Sequence, residues 1–209
     1  MLAAAICAAL VAAGRRVAAF KPVVTGLDDP AGVWPRDHEL LAQITGQEPS
    51  AVTPLTFGPA TSPHYAAELA GHEIDGPGLA AAALAAGAGA EVLVAEGVGG
   101  LNVPLSGSYL VRDLAAALGL PVVVAARPGL GTINHTLLTL QAARAAGLEV
   151  AAVVMTPWPS DPSGMELSNR LTVARLGQVE VVGLRAVAPD AADLAAAAGR
   201  LPLEEWLGS

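Results

Sequence analysis

At 209 residues the chain is the size of one domain, long enough to bury roughly two-thirds of its unfolded surface. It is 53% hydrophobic, 3% aromatic and 14% charged, against about 25% charged for an average soluble domain, and that balance excludes extensive disorder. A net charge of −8 and a single cysteine, Cys7, argue against non-specific nucleic-acid binding, an intramolecular disulfide framework and a cysteine-rich zinc site, and point to a reducing cytoplasm.

The apolar run from Met1 to Gly14 reads as an alanine-rich helix over Leu2–Ala13 packed on a sheet. It is too short to cross a bilayer, and its positive charges, Arg15 and Arg16, follow the apolar stretch instead of preceding it as in a signal peptide. No membrane association is expected. Next come a strand at Val17–Val24, helices at Arg36–Thr45 and Leu79–Ala86, and a strand at Glu91–Ala95. A helix at Tyr109–Leu118, a strand at Pro121–Ala125 and a helix at Thr132–Ala146 follow. A strand at Val150–Val154, a helix at Met165–Leu176, a strand at Val179–Leu184 and a helix at Ala191–Ala198 complete the series. The strands are continuous apolar runs, as in a parallel sheet buried on both faces. Each helix is followed by a glycine in the C′ position: Gly14, Gly46, Gly87, Gly119, Gly147, Gly177 and Gly199. Alternating strands and helices predict one doubly wound α/β domain over residues 1–209.

In such sheets ligands bind beyond the carboxyl ends of the strands, so the residues following each strand carry the functional information. Lys21 is the only lysine; the other ten basic residues are arginines. A compact ammonium at a strand end can stabilise charge developing on a phosphoryl or carboxylate oxygen, and it can equally be a solvated surface group. Glu96 ends a strand and enters the turn Gly97-Val98-Gly99-Gly100, whose bare N–H groups can approach an anion. A carboxylate beside an anion cradle fits a bridging Mg²⁺, and also fits a simple turn cap. Asp37, at a helix start, is a second metal-binding acid or a carboxylate favoured there by the helix dipole. His38, His64, His72 and His135 show no paired spacing for zinc. Cys7 reads as a small buried hydrophobe.

Four blocks in order, Lys21-Pro22-Val23-Val24-Thr25-Gly26, Thr61-Ser62-Pro63-His64, Glu96-Gly97-Val98-Gly99-Gly100 and Gly131-Thr132-Ile133-Asn134-His135-Thr136-Leu137-Leu138-Thr139, resemble dethiobiotin synthetase along nearly the whole chain. Trp158-Pro159, Ser168-Asn169-Arg170 and Trp206 resemble its actinobacterial branch. The resemblance implies a P-loop NTPase-type α/β fold, a homodimer, and the use of ATP and Mg²⁺ to close the ureido ring of dethiobiotin from 7,8-diaminononanoate and CO2. It makes Lys21 the catalytic lysine, places Thr25 near the diamine, and makes Asp37 and Glu96 the metal-binding acids. It assigns Glu96, Gly97, Val98 and Gly99 to a nucleotide-contacting turn that works with Asp37. Thr156 and Pro157 fall where the family holds the base, and Pro189, Asp190 and Ala191 match a second base-contacting loop. Asn134 matches the segment that meets the substrate carboxylate across the dimer.

One departure is large. The family opens with a strand and the phosphate-cradling Gly-x-x-x-x-Gly-Lys-Thr, and this sequence contains no such motif. Aligned on the family, Met1 falls immediately after that motif's threonine. The expectation is therefore a P-loop-type sheet whose first strand and phosphate loop are missing. Two explanations stay open: the protein starts further upstream than Met1 and is the ATP-dependent ligase, or it is a truncated, non-catalytic relative that dimerises or binds a biotin precursor.

Overall fold

Valine-rich and alanine-rich runs separate into strands and helices, because β-branched side chains suit a pleated sheet and alanine suits a helix. The computed structural model describes residues 1–30 and 32–207. Its first half contains α1 (Leu2–Ala12), β1 (Val17–Phe20), β2 (Val23–Val24), α2 (Asp37–Thr45), α3 (Pro49–Val52), β3 (Leu55–Thr56), α4 (Pro63–Leu69) and α5 (Gly76–Ala86). Then follow β4 (Val92–Ala95), β5 (Pro104–Ser106), β6 (Tyr109–Leu110), α6 (Val111–Leu118), β7 (Val122–Ala126) and α7 (Thr132–Ala145). The chain continues through β8 (Val150–Trp158), α8 (Gly164–Gly177), β9 (Glu180–Arg185), α9 (Ala191–Ala198) and α10 (Leu203–Trp206).

The five main strands pair in parallel, as their apolar character predicts, but in two pieces. β1 pairs with β4, and β7, β8 and β9 form a second sheet in that order. Among the described residues no ladder joins β4 to β7. β2 and β3 make a short parallel pair, and β5 and β6 an antiparallel one. The outer edge of β1 is closed by a side chain. The Ala19 N–H donates to Gln47 Oε1 at 2.7 Å and Gln47 Nε2 donates to the Ala19 carbonyl at 3.3 Å, so one carboxamide takes the place of a neighbouring strand residue.

Alternate residues of each strand face opposite layers. On β8, Ala152 and Val154 join a core with α1, α2 and α9, while Val153 and Met155 join a second core with Leu140 of α7 and Val173 of α8. A third core packs Phe20 against α4, α5 and α6. Helix α1 packs on β1, β4, α2 and α9, and its Ala4, Ala5, Cys7 and Ala8 belong to one core with Val17 and Val92 of the first piece and with Ala152, Val154 and Leu184 of the second. Small side chains on α1 let β1, β4 and α9 approach the helix closely.

Several sequence expectations are corrected. The Val17–Val24 run is two strands in different ladders. Pro22 has no N–H for a ladder, and the Lys21 N–H leaves β1 to donate to the Val52 carbonyl at 2.8 Å. The helix expected from Tyr109 begins at Val111, because Tyr109 and Leu110 pair with β5 and the Leu110 N–H is taken by Asp113 Oδ2 at 2.7 Å. Four of the seven glycines, Gly14, Gly46, Gly119 and Gly147, are left-handed. Gly87 and Gly199 stay right-handed, and at α8 the left-handed residue is Gln178. Gly177 lies inside that helix for a packing reason, since a Cβ there would sit 2.7 Å from Leu140 Cδ1 of α7.

Gly183 shows the same close approach on β9, where a Cβ would meet the Trp158 ring at 2.5 Å. Gly183→Ala is expected to destabilise the fold by about 1–3 kcal/mol through overpacking, read as a lower urea midpoint at unchanged slope. Gly100→Ala, with no atom within 4 Å of the added methyl, should shift stability by less than ~0.5 kcal/mol.

Candidate functional site

Parallel register decides the first contact of the site. Phe20 is paired with Ala95, so the residues that leave the ladder next are Lys21 and Glu96, and the Glu96 N–H donates back to the Phe20 carbonyl at 2.8 Å. Two residues 75 apart in sequence thus emerge side by side at the carboxyl end of the sheet. The first turn of α2 supplies the third member, Asp37. The Lys21 ammonium donates to Glu96 Oε1 at 2.6 Å and lies 2.7 Å from Asp37 Oδ2. The lysine side chain is 7% exposed, Glu96 22% and Asp37 51%, so the cation is buried and its two counter-charges face progressively more open space.

Burial alone would lower the Lys21 pKa. Glu96 and then Asp37 outweigh it and hold the ammonium above its usual 10.5. Burial likewise pulls the Asp37 carboxyl up, but the ammonium beside it prevails and keeps it below the usual 3.8. An ammonium has three N–H donors and two are directed to carboxylates, leaving one for a ligand oxygen. Cys7, on the face of α1 turned to the core, has its thiol pushed up to about 12 by burial first and the Glu96 charge second, which keeps it unreactive.

Asp37 also lines a cleft of about 450 Å³ with Met1, Trp34, Pro157, Ala186 and Val187. The cleft therefore opens between the start of α1, the loop before α2, and the carboxyl ends of β8 and β9. Of the residues singled out from sequence, Lys21, Asp37 and Glu96 meet directly, and Pro157 shares the cleft with Asp37. Thr156 stands beside Pro157 with its hydroxyl oxygen buried and without a partner. Gly97 and Gly99 lie exposed in the turn after Glu96, with Val98 half-buried. Gly99 is left-handed, and a Cβ there would come within 2.9 Å of Val103. Thr25 is half-buried between β2 and the turn at Gly26.

Two residues lie outside the ion triad and the cleft lining. Asp190 is the N-cap of α9, and its Oδ1 accepts from the N–H groups of Ala192 and Asp193 at 3.0 Å each, so that oxygen serves the helix. Pro189 precedes this cap and Ala191 opens the helix, immediately after the cleft-lining Ala186 and Val187. Asn134 is exposed on the first turn of α7, outside both the ion triad and the cleft lining. Sequence reasoning missed Trp34, Ala186 and Val187 as cleft residues. They carry no chemical signature and become neighbours only when two chain ends of the sheet converge.

The donor set fits a magnesium ion. Asp37 and Glu96 bring two hard carboxylates together at Lys21, Asp37 lining the cleft, and Mg²⁺ is ordinarily held by one or two carboxylates with substrate oxygens and water completing its shell. Among the described residues no group of three or more His, Cys, Asp or Glu side chains could enclose a metal. No helix among them is long and apolar enough to cross a membrane.

Residues 3–192 match the family model described as AAA domain. The chain is 40% identical over 203 residues to an ATP-dependent dethiobiotin synthetase of Anaeromyxobacter dehalogenans, covering 96% of this chain and 89% of that protein. It is 37% identical over 193 residues to an ATP-dependent dethiobiotin synthetase of a Mycobacterium species, covering 90% and 83%. It is also 40% identical over 173 residues to a bifunctional biotin biosynthesis protein of Bordetella avium, covering 80% of this chain and 35% of that one.

The ion triad sets a pH signature. The folded Asp37 pKa is depressed, so its contribution to stability is present above pH 3.8 and is lost as pH falls through the lower folded value. The Lys21 pKa is raised, so its contribution is complete below pH 10.5 and is lost only as pH climbs past the folded value. The stability difference between wild type and Asp37→Asn, followed by denaturant unfolding across pH, should be level between these limits and vanish on the acid side. A difference that titrates near neutrality would show that Asp37 is not paired with Lys21.

Proposed function

We propose that this chain, which belongs to the dethiobiotin synthetase family, catalyses the ATP-dependent closure of 7,8-diaminononanoate and CO2 to dethiobiotin in biotin biosynthesis. The observation that carries the reading is the buried Lys21 ammonium held between Asp37 and Glu96 at the carboxyl end of a parallel sheet, with Asp37 also lining the adjoining cleft. In this reaction a carbamate formed on one amine attacks the γ-phosphate of ATP. The second amine then attacks the resulting mixed anhydride, and phosphate leaves. Lys21 offers its third N–H to the phosphoryl oxygens as their charge builds, already positioned by its two carboxylates, so no reorganisation is needed when the charge develops. Asp37 and Glu96 would hold Mg²⁺, which when bound supplies further neutralisation of phosphate oxygens. Thr25, close to Lys21 in the chain, would meet the diamine, and the N–H groups of Gly97, Val98 and Gly99 would meet the nucleotide. The unpartnered hydroxyl of Thr156, with Pro157, Pro189, Asp190 and Ala191 in the adjacent loops, would line the base.

A homodimer is part of this proposal and is supported by apolar surface around Asn134. Leu130, 90% exposed, precedes α7, and Leu138, one turn after Asn134, shares its face of the helix. On α8, Leu167 and Leu171 form a second exposed pair one turn apart. A second copy seated there would place Asn134 across an interface.

Lys21→Ala in a ring-closing form of the protein should reduce turnover by ~10²–10³-fold with a much smaller change in folding stability. Near wild-type turnover would remove Lys21 from catalysis. Calorimetric titration of the 209-residue chain with ATP and Mg²⁺ tests what the residues present contribute to nucleotide binding. Weak binding without turnover is expected from a site lacking the loop's N–H cradle, and micromolar affinity with ring closure would show that the cradle is dispensable.

A further inference from the structure

We infer that Arg36 is a positioning residue that fixes the loop Gly26–Asp29 against the start of α2 and thereby sets Thr25 in register with Asp37. Arg36 is the N-cap of α2 and immediately precedes Asp37. Its guanidinium reaches back over the chain and donates through Nη1 to the Gly26 carbonyl at 2.8 Å. Through Nη2 it donates to the carbonyls of Leu27 at 2.8 Å and Asp29 at 3.0 Å. Three backbone oxygens thus converge on one cation. A planar fork can serve all three, whereas a lysine ammonium, a point charge on a flexible stem, cannot reproduce that geometry.

The other side of the same loop is also occupied. The N–H groups of Gly26, Leu27 and Asp28 donate to the carbonyls of Pro59, Phe57 and Gly58 at 3.1, 3.2 and 2.9 Å. The turn at Gly26, with φ +83°, points the carbonyls away from that strip and towards Arg36. The loop is therefore held by its donors to the segment leading into Thr61-Ser62-Pro63-His64, and by its acceptors to α2. Removing Arg36 releases the second attachment and leaves the first alone to hold the loop, which then opens more often. The side chain does not enter the Lys21 triad and lines neither the carboxylate pair nor the cleft. It acts on the site through the two elements it joins: Thr25 directly before the loop, and Asp37 directly after Arg36. That Thr25 and Asp37 act on substrate and metal rests on the proposed function; the clamp itself does not.

Amide hydrogen exchange of the 209-residue chain, compared among wild type, Arg36→Ala and Arg36→Lys, tests the clamp. Loss of charge-assisted bonds predicts exchange about 10–100-fold faster at Leu27, Asp28 and Asp29 in Arg36→Ala, with α7 and β8 amides at wild-type rates. Arg36→Lys should fall between, and millimolar free guanidinium should slow the loop again in Arg36→Ala but not in wild type. Titration with 7,8-diaminononanoate should show weaker binding in step with loop exchange and the same partial rescue. Unchanged loop exchange, or acceleration spread evenly over all amides, would overturn the inference. If Arg36→Ala does not fold, loop-specific acceleration in Arg36→Lys decides the question. If wild type fails to bind the diamine, the functional reading falls while the exchange result still judges the clamp.

Discussion

A buried ammonium has to be neutralised where it stands, and much of this site follows from that requirement. Lys21 leaves β1 into a nearly closed environment. Its charge is tolerable there only because Glu96 arrives from the next strand and Asp37 from the first turn of α2. Those carboxylates tie three separate chain segments to one atom. They also leave the lysine charged across the whole physiological range, with one donor to spare. In the proposed reaction, the same arrangement that makes burial possible would offer the cation to a phosphoryl oxygen.

The chain divides its basic residues by geometry. The single lysine is used where one point charge must sit between two carboxylates. Several arginines instead donate to backbone carbonyls, where a planar fork can serve more than one acceptor. Arg16 reaches Gly89, Arg36 reaches three carbonyls of one loop, Arg144 reaches Gly177 and Gln178, and Arg170 reaches Val181. Arg170 also lies over the Trp158 ring at 5.6 Å. The buried Asn169 does similar work, donating to the carbonyls of Pro128 and Gly129 ahead of α7. The loop after Thr25 and the turn before α7 are thus held by side chains outside the Lys21 triad and the cleft lining. Arg185 and Asp193 form an equivalent brace beneath the turn Ala186–Asp190, with Asp193 Oδ2 also accepting from the Ala188 N–H.

Helix α1 plays a comparable part at the scale of the fold. With alanine at most of its buried positions, it fits closely over β1 and β4 and packs along α9 on its other side. Its carboxyl end is closed by left-handed Gly14, with the Gly14 and Arg15 N–H groups donating to Val11 and Leu10. That stop turns the chain directly into β1, so the helix that covers β1 also sets where Lys21 begins.

Sequence periodicity and composition sufficed for the parallel strands, the long helices and the candidates Lys21, Asp37 and Glu96. Those features depend on local preferences and on the rule that parallel sheets bind ligands at one end. The four left-handed glycines were equally legible, because a local backbone requirement selected them. Gly177 and Gly183 were not, because their reason is a side chain from another element: Leu140 in one case and Trp158 in the other. The short elements α3, β3, α4, β5 and β6 went unseen, being too brief for periodicity to register. Only the tertiary structure decided that Lys21 is shared by two carboxylates at 2.6 and 2.7 Å, since contacts across 75 residues arise from strand register. It alone decided that Arg36 turns back onto a loop, that Asp190 spends an oxygen on a helix cap, and that the described strands pair in two pieces sharing one core. Local propensity determines which segments become helix or strand; which side chains then meet is set by pairing and packing, and those are properties of the whole chain.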